Sequence, residues 1–289
     1  DLSPAGHQPM LSPDGRFALV FNGEIYNFVE LRDELERAGV RFRSTGDTEV
    51  VLQALAHWGT SALDRLNGMF ALGLYDRRER SLLLARDHAG IKPLYYLHVP
   101  QGIYFASQYD QIMAHPWRDG LPVSSDGLAL YLRLGYIPAP YAILENTFML
   151  GPGSWLRVDG NGEIDRGVYY AFPRRTAPDL SGREAYEAVN EAVGNAVRRQ
   201  MVSDVPLGAF LSGGIDSPLV VAKMRAAAGR PVRAYTIGSA GSALDESADA
   251  AAYARQLGVE QVLEQFAPDD ALDWLDEAIA ACGEPFADY

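Results

Sequence analysis

The sequence predicts two domains of different fold class, an α+β domain followed by an α/β domain with a parallel sheet. Residues 66–104 contain short apolar runs separated by polar turns, which is typical of a meander of antiparallel strands. From residue 207 onwards, strand-like and helix-like stretches alternate, which favours a parallel sheet with helices on both faces. Residues 173–182 (PRRTAPDLSG) have the composition of a linker, so we place the two domains at 1–172 and 183–289.

Within the first domain, turn and cap signals separate the elements. A strand over 17–21 runs directly into Asn22-Gly23, which is first of all a turn signal. Asn27 is placed to cap a helix over 28–38, and Asp47 or Thr48 to cap a second helix that ends at Trp58. Arg86-Asp87 is expected to form a structural salt bridge. Further strands are predicted over 40–43, 154–158 and 168–172, and a further helix over 123–135.

The second domain is predicted to contain strands over 207–211, 232–237 and 259–266, with helices over 183–199, 218–229, 245–257 and 269–282. Ligands of parallel sheets bind at the carboxyl ends of the strands. Leu211 and Ile237-Gly238 lie at such ends, and they are therefore candidates for a ligand site.

The loop after the first of these strands reads Ser212-Gly213-Gly214-Ile215-Asp216-Ser217. A glycine turn at a helix N-terminus attracts anions, and the hydroxyls of Ser212 and Ser217 add donors. Asp216 suits a phosphate site only if a divalent cation lies between its carboxylate and the phosphate. The loop has no lysine and lacks the GxxxxGK[ST] spacing. The alternative is a tight turn with no ligand.

Asn22-Gly23-Glu24 also admits a chemical interpretation. A side-chain amide beside a glycine N–H provides two donors that can hold an oxyanion, and Glu24 could accept from an amine. The alternatives are a plain turn at Asn22-Gly23 and a plain helix cap at Asp47.

Composition narrows the class of protein. The 289 residues are 48% hydrophobic, which fits a soluble globular protein, and the net charge of −13 argues against nucleic acid as a partner. No apolar run approaches 18 residues, so no membrane span is expected. The lone cysteine, Cys282, excludes an internal disulfide and fits the cytoplasm. The five histidines show no metal-binding spacing.

Several motifs together resemble the glutamine-dependent asparagine synthetase family. The quoted segments are DLSPAGHQPM, FNGEIYNF, TGDTEVVL, LNGMFALGLYD, RDHAGIKPLYY, the loop SGGIDS and the final GEPFADY. The resemblance implies an αββα sandwich of the N-terminal nucleophile type. It also implies a Rossmann-like second domain of the ATP pyrophosphatase type, with SGGIDS as its pyrophosphate loop.

The resemblance implies roles for individual residues. Asn22 and Gly23 fall on oxyanion-hole positions, and Glu24 and Asp47 on positions that hold the α-amino group of glutamine. For ATP, the family pattern marks the loop residues and the ends of two strands, with Asp216 as the Mg²⁺ contact through pyrophosphate. The implied ATP-binding residues are Leu211, Ser212, Gly213, Gly214, Asp216, Ser217, Ile237 and Gly238.

The implied activity is that of a carbon–nitrogen ligase. L-Glutamine supplies ammonia, L-aspartate and Mg-ATP form β-aspartyl-AMP and pyrophosphate, and ammonia reaching the adenylate through an internal tunnel displaces AMP. A homodimer is one possible assembly. Two alternatives stay open: a non-catalytic binding or scaffold homologue, and a related amidotransferase that acts on another carboxylate.

The family pattern extends beyond both ends of this sequence. Its nucleophile is a cysteine at residue one of the mature enzyme, which would lie upstream of Asp1, and its later SGxGxDE motif would lie downstream. Cys282 cannot replace the nucleophile, because it falls on a predicted helix of the other domain. We therefore expect no glutaminase activity from this chain alone.

Overall fold

The computed structural model describes residues 3–173, 180–229, 231–239, 241–243, 245–266 and 270–287. The chain divides into two compact units, Asp1–Arg174 with Ile279–Tyr289, and Arg175–Ala278. Most of the predicted linker, residues 174–179, lies outside the described residues.

The first unit combines antiparallel strands with short helices. Its strands are β1 Met10–Leu11, β2 Phe17–Ile25, β3 Gly68–Asp76, β4 Ser81–Arg86, β5 Tyr95–Val99, β6 Gly102–Ala106, β7 Thr147–Met149, β8 Ser154–Val158 and β9 Ile164–Val168. Its α-helices are α1 Phe28–Arg37, α2 Asp47–Trp58, α3 Tyr109–Ala114 and α4 Ser125–Leu134. Short 3₁₀ turns occupy Pro4–Gly6, Gly59–Arg65 and Pro116–Arg118.

These strands form two sheets, one with the order β1-β2-β3-β4-β8-β9 and one with the order β6-β5-β7. Three apolar clusters fill the spaces between layers: one around Leu19 joins α1 and α2 to the larger sheet, and one around Leu84 joins the two sheets. A third, around Ile112, joins the smaller sheet to α3. The sequence of layers is therefore helix, sheet, sheet, helix. Each fully buried leucine in these clusters contributes roughly 2 kcal/mol.

The structure corrects several sequence expectations in this unit. Asn22-Gly23 is not a turn but lies inside β2, because every residue from Phe17 to Ile25 pairs with β3. Residues 40–43 form no strand. Of the predicted strand 168–172, only Val168 belongs to a strand. It is the last residue of β9, which pairs with β8.

Two predicted caps differ from the structure: Asn27 is the N-cap residue of α1 but makes no capping hydrogen bond, and neither Asp47 nor Thr48 is the N-cap residue of α2. Asn27 precedes α1, but its side chain donates to the Arg65 carbonyl and accepts from the Asn67 N–H, so it joins the ends of β2 and β3. Gly46 is the residue that precedes α2, and the Asp47 side chain makes no capping hydrogen bond. Ser124, by contrast, caps α4, because its hydroxyl accepts from the Gly127 N–H.

The second unit contains a parallel sheet in the order β10-β11-β12. Its elements are α5 Gly182–Arg199, β10 Gly208–Phe210, α6 Asp216–Ala227, β11 Arg233–Ser239, α7 Ser247–Leu257, β12 Glu260–Phe266 and, continuing into the first unit, α8 Asp270–Cys282. Helix α6 begins at Asp216, before Pro218, because proline fits the first turn of a helix.

The expectation of helices on both faces of this sheet is wrong for the described residues. Ala234 faces a small core shared with Val221 of α6 and Ala250 of α7, and all three side chains are buried. Phe210 and Ile237 lie on the opposite face and are 77% and 70% exposed. Both helices therefore lie on the same face.

Residues 279–287 group with the first unit. The Glu284 carboxylate accepts from the Ile143 N–H, and the Ala287 N–H donates to the Gly135 carbonyl. Burial raises the pKa of Glu284 above its ordinary value. Among the described residues, no helix combines the length and apolar character needed to cross a membrane.

Candidate active sites

The residues of the first candidate site lie together near the end of β2. Asn22, Gly23 and Glu24 pair with Ala71, Phe70 and Met69 of β3. Successive side chains of a strand point to opposite faces, so Asn22 and Glu24 share one face. Both are exposed, and Asn22 lines a cavity of about 210 Å³ between the two sheets.

Gly23 occupies a position where only glycine fits. A Cβ atom there would lie 2.2 Å from the Met69 carbonyl oxygen and 2.7 Å from the Phe70 Cα. Both are backbone atoms of the adjacent strand, so the contact could not be relieved by rotating a side chain. The close approach of β2 and β3 thus fixes the backbone at the position proposed to hold an oxyanion.

Asp47 reaches this site from the first turn of α2. Its carboxylate accepts from the Ile25 N–H at 2.8 Å, directly after Glu24 in β2. The contact joins the helix to the strand and brings the Asp47 carboxylate to the backbone next to Glu24. Two carboxylates near one strand end can accept from an ammonium group.

The electrostatic environment agrees with that use. The pKa of the Tyr26 phenol is raised, chiefly by burial, with further contributions from the negative charges of Glu24 and Asp87. The carboxylates of Glu24 and Asp87 thus lie close enough to Tyr26 to act on its phenol, and negative charge of this kind favours a cationic ligand group.

Glu49 holds the loop that leads into α2, and the sequence analysis did not single it out. Its side chain is buried, 5% exposed, and its carboxylate accepts from the Arg43 N–H, the Ser44 N–H and the Ser44 hydroxyl. It occupies the third position of α2, where an acidic residue can reach back to free N–H groups. That position was the signal available in the sequence.

Asp87 and Arg86 both hold the backbone of residues 89–92, and they do not pair with each other in the expected salt bridge. Asp87 is 1% exposed and accepts from the Phe70, Ala89, Ile91 and Lys92 N–H groups. Arg86 donates to the carbonyls of Gly90, Lys92 and Leu150, and burial lowers the pKa of its guanidinium. The predicted salt bridge is therefore wrong, and both side chains bond to backbone groups instead.

The second candidate site is the loop between β10 and α6. The Ser217 hydroxyl accepts from the Ser212 N–H at 2.8 Å and lies 2.9 Å from the Ser212 hydroxyl. The Gly214 N–H in turn donates to the Ser212 hydroxyl. The loop therefore folds around its own serine hydroxyls at the N-terminus of α6.

A cavity of about 350 Å³ lies beside this loop, at the carboxyl ends of β10 and β11. Of the residues predicted to bind ATP, Leu211, Ser212, Ser217 and Ile237 line it. Gly238 is not among the residues that line this cavity, and a Cβ added to it would meet the Gln265 side chain.

Sequence reasoning also missed Glu246, which lines the same cavity. Its carboxylate accepts from the Gly213 N–H at 3.0 Å, so a carboxylate already covers one donor of the predicted anion loop. Neighbouring Asp245 accepts from the Ser239 and Ser247 N–H groups and thereby holds the end of β11. The signal available in the sequence was the acidic pair ahead of α7.

Asp216 fits a magnesium ion only in part. It is exposed at the first residue of α6, next to the loop. Within the ranges that the structure describes, no group of three or more His, Cys, Asp or Glu side chains could hold a metal ion. Mg²⁺ commonly binds one or two carboxylates together with substrate phosphates, so this single carboxylate suits an ion that arrives with a nucleotide.

Comparison with known proteins identifies the class. A family model described as a glutamine amidotransferase domain matches residues 1–170, and one described as asparagine synthase matches residues 188–289. The chain belongs to the glutamine amidotransferase family, joined to an asparagine synthase segment. The resemblance drawn from the sequence motifs is thereby confirmed.

Two curated relatives carry the same pair of segments. Asparagine synthetase [glutamine-hydrolyzing] 1 of Bacillus subtilis is 32% identical over 98% of this chain and 44% of its own length. A putative asparagine synthetase [glutamine-hydrolyzing] of Mycobacterium tuberculosis is 34% identical over 98% of this chain and 45% of its own. The chain thus spans about half the length of these relatives.

Among solved structures, one of the glutamine phosphoribosylpyrophosphate amidotransferase of B. subtilis is similar to this chain. The match covers 89% of this chain and 48% of the length of the amidotransferase chain. The TM-score is 0.39, with 16% sequence identity.

Proposed function

We propose that the full-length protein is a glutamine-dependent asparagine synthetase. One observation carries the proposal: an amidotransferase segment and an asparagine synthase segment occur in one chain, in that order, as in the relatives named above. The reaction uses L-glutamine, L-aspartate, ATP and water, and it yields glutamate, asparagine, AMP and pyrophosphate.

In the first unit, the proposed chemistry is hydrolysis of the glutamine amide. The Asn22 side-chain amide and the Gly23 N–H would stabilise the oxyanion that forms as a nucleophile adds to the amide carbonyl. Glu24 and Asp47 would hold the substrate's α-amino group. The nucleophile expected from the family pattern is an N-terminal cysteine upstream of Asp1. Its thiolate would add to the amide carbonyl, ammonia would leave as the thioester forms, and water would then cleave the thioester to glutamate and the free thiol.

In the second unit, the proposed chemistry is adenylylation. A β-carboxylate oxygen of aspartate attacks the α-phosphorus of ATP, and pyrophosphate leaves with the electron pair of the broken P–O bond. Ammonia then adds to the acyl carbon, and AMP leaves. The N–H groups and hydroxyls of Ser212–Ser217 would hold the phosphates. Mg²⁺, when bound, would neutralise phosphate charge, and Asp216 is the side chain that would hold it.

The remaining expectations belong to the same proposal. We place the two domains at 1–172 and 183–289 of the sequence, although residues 279–287 group with the first unit in the fold. We place the protein in the cytoplasm, and its partners among small molecules rather than nucleic acids or membranes. The net charge of −13 supports the exclusion of nucleic acid. A homodimer is the assembly to test.

Pyrophosphate release by the full-length protein tests this proposal. With ATP, Mg²⁺ and ammonia present, we expect release only when L-aspartate is added. Faster release with another carboxylate would identify a related amidotransferase instead. No release with any carboxylate would favour the non-catalytic alternative.

A further inference from the structure

Gln8 makes an unusual contact with the strand that carries the first candidate site. Its side-chain Nε2 donates to the Phe21 carbonyl at 3.0 Å, and its Oε1 accepts from the Phe21 N–H at 2.6 Å. The side-chain amide therefore satisfies both backbone groups of the residue directly before Asn22. Only this orientation of the amide, with nitrogen toward the carbonyl, provides both hydrogen bonds.

The position of Gln8 follows from the register of β1 and β2. Met10 pairs with Leu19 and Leu11 with Ala18, so the same antiparallel register places Gln8 opposite Phe21. The Ser12 N–H donates to the Phe17 carbonyl, two residues further along the same register. The next hydrogen-bonded pair is completed by the Gln8 side chain rather than by its backbone. Ladder pairing thus extends to the residue that adjoins Asn22.

The contact also lies at the edge of the site. Gln8 and Asn22 both line the cavity between the two sheets, together with Phe21 and Ala71. Gln8 is half-buried there, and no charged residue lines the same cavity among the described residues. A neutral amide that donates and accepts at once suits this position, because a carboxylate would face the Phe21 carbonyl without a proton to donate.

We propose that Gln8 is a positioning residue for the oxyanion-binding amide of Asn22, an inference that rests on the proposed function. The brace on Phe21 fixes the backbone from which the Asn22 side chain extends. Loss of a donor's alignment weakens oxyanion stabilisation more than it weakens ground-state binding of substrate. A shift of about 1 Å can lower a rate by about 100-fold.

The test compares Gln8→Met with wild type in the full-length protein. Methionine keeps the side-chain length but removes both hydrogen bonds. We expect kcat for glutamine hydrolysis to fall at least about 10-fold while KM for glutamine changes by less than about 3-fold. Asparagine synthesis from added ammonia should be unchanged, which shows that the rest of the enzyme is folded. Gln101→Met, an exposed residue in the turn between β5 and β6, is the matched control.

Three results would overturn the inference. They are an unchanged kcat in Gln8→Met, a rise in KM alone, and an equal loss of ammonia-dependent synthesis. Hydrogen exchange at the Phe21 and Asn22 amides gives a readout that needs no activity, and we expect faster exchange there in Gln8→Met but not in Gln101→Met. Wild-type protein without glutaminase activity would refute the proposed function and with it the catalytic consequence, whereas faster exchange would still establish the brace.

Discussion

The two candidate sites differ in what holds them in place. The Asn22 site lies on a strand braced by side chains from three other parts of the first unit, namely Gln8, Asp47 and, through β3, Asp87. The loop at Ser212 is held by its own Ser217 and by the carboxylate of Glu246. The first site is thus positioned by distant elements, and the second by contacts that a bound anion could replace.

The proposed chemistry accounts for this difference in how the two sites are held. An oxyanion exists only in the transition state and in short-lived intermediates, so its donors must be aligned before reaction. A nucleotide is a stable ligand, so its loop can exchange internal hydrogen bonds for phosphate contacts. The comparison predicts that substitutions near Asn22 alter kcat, whereas substitutions near Ser212 alter the KM for ATP.

The largest effect is expected from Gly23→Ala. The added Cβ would meet the Met69 carbonyl oxygen at 2.2 Å, and the strands β2 and β3 would have to separate. We expect glutaminase kcat to fall at least about 100-fold and the free energy of unfolding to fall by about 1–3 kcal/mol. Urea unfolding and glutaminase assays of the full-length protein measure both quantities.

Gly229→Ala is the matched control, because no atom lies within 4 Å of a Cβ built there. We expect this variant to retain wild-type activity. If Gly23→Ala retained wild-type kcat, the backbone at this position would not be part of the oxyanion site.

Ser217→Ala should produce the next largest effect. It removes the acceptor for the Ser212 N–H and the partner of the Ser212 hydroxyl. Loss of about one hydrogen bond to a charged group predicts a rise of roughly 10-fold in the KM for ATP. Glutaminase activity should be unaffected. An unchanged KM for ATP would place the nucleotide elsewhere.

Glu246→Gln should give a smaller change of the opposite sign. The carboxylate covers the Gly213 N–H, and its negative charge opposes an incoming phosphate. Glutamine keeps an acceptor but removes the charge, so we expect the KM for ATP to fall by about 3-fold. A rise in KM would mean instead that Glu246 contacts the bound nucleotide complex.

The smallest effect on activity is expected from Asp76→Asn, in the β3–β4 region. Arg16 hydrogen-bonds the Asp76 carboxylate and lowers the pKa of that group below its ordinary value of 3.8. A carboxyl group with a lowered folded-state pKa stabilises the fold above its unfolded pKa, and this contribution is lost as the pH falls through the folded pKa.

We therefore expect Asp76→Asn to lower the free energy of unfolding by about 1 kcal/mol at pH 7. The difference from wild type should shrink below pH 3.8. Tryptophan fluorescence during urea unfolding measures the free energy of unfolding of both proteins, since Trp58, Trp117 and Trp155 lie in the first unit. A difference that persists at low pH would mean that the carboxylate charge does not carry the effect.

Sequence reasoning predicted elements with a clear local signal. Helix α4, which ends before Gly135, has such a signal, because capping residues and apolar periodicity act within a few positions. The parallel pairing of β10, β11 and β12 was predicted from the alternation of strand-like and helix-like stretches. The interpretation of Asn22-Gly23 as a turn was wrong because pairing with β3 outweighs the local turn preference.

The supporting residues could be predicted only in part. Glu49 at the third position of α2 and Glu246 in the acidic pair ahead of α7 carry local signals, but the groups that they contact do not follow from those signals. The side chains of these residues contact backbone groups that come within reach only when the chain folds; the residues are Gln8, Glu49 and Glu246. Nothing in the local pattern of Gln8 distinguishes it from an exposed glutamine in a loop. Roles of this kind depend on strand register, which sequence periodicity alone does not fix.

The most direct test of the account is a pair of variants in the full-length protein, Asn22→Ala and Asp216→Asn, assayed for asparagine formation from glutamine and from ammonia. We expect Asn22→Ala to lose glutamine-dependent synthesis by at least about 100-fold and to keep ammonia-dependent synthesis. Asp216→Asn should lose both. Equal loss of both activities in Asn22→Ala, or retention of both in Asp216→Asn, would contradict the assignment of separate amide-hydrolysing and ATP-binding sites.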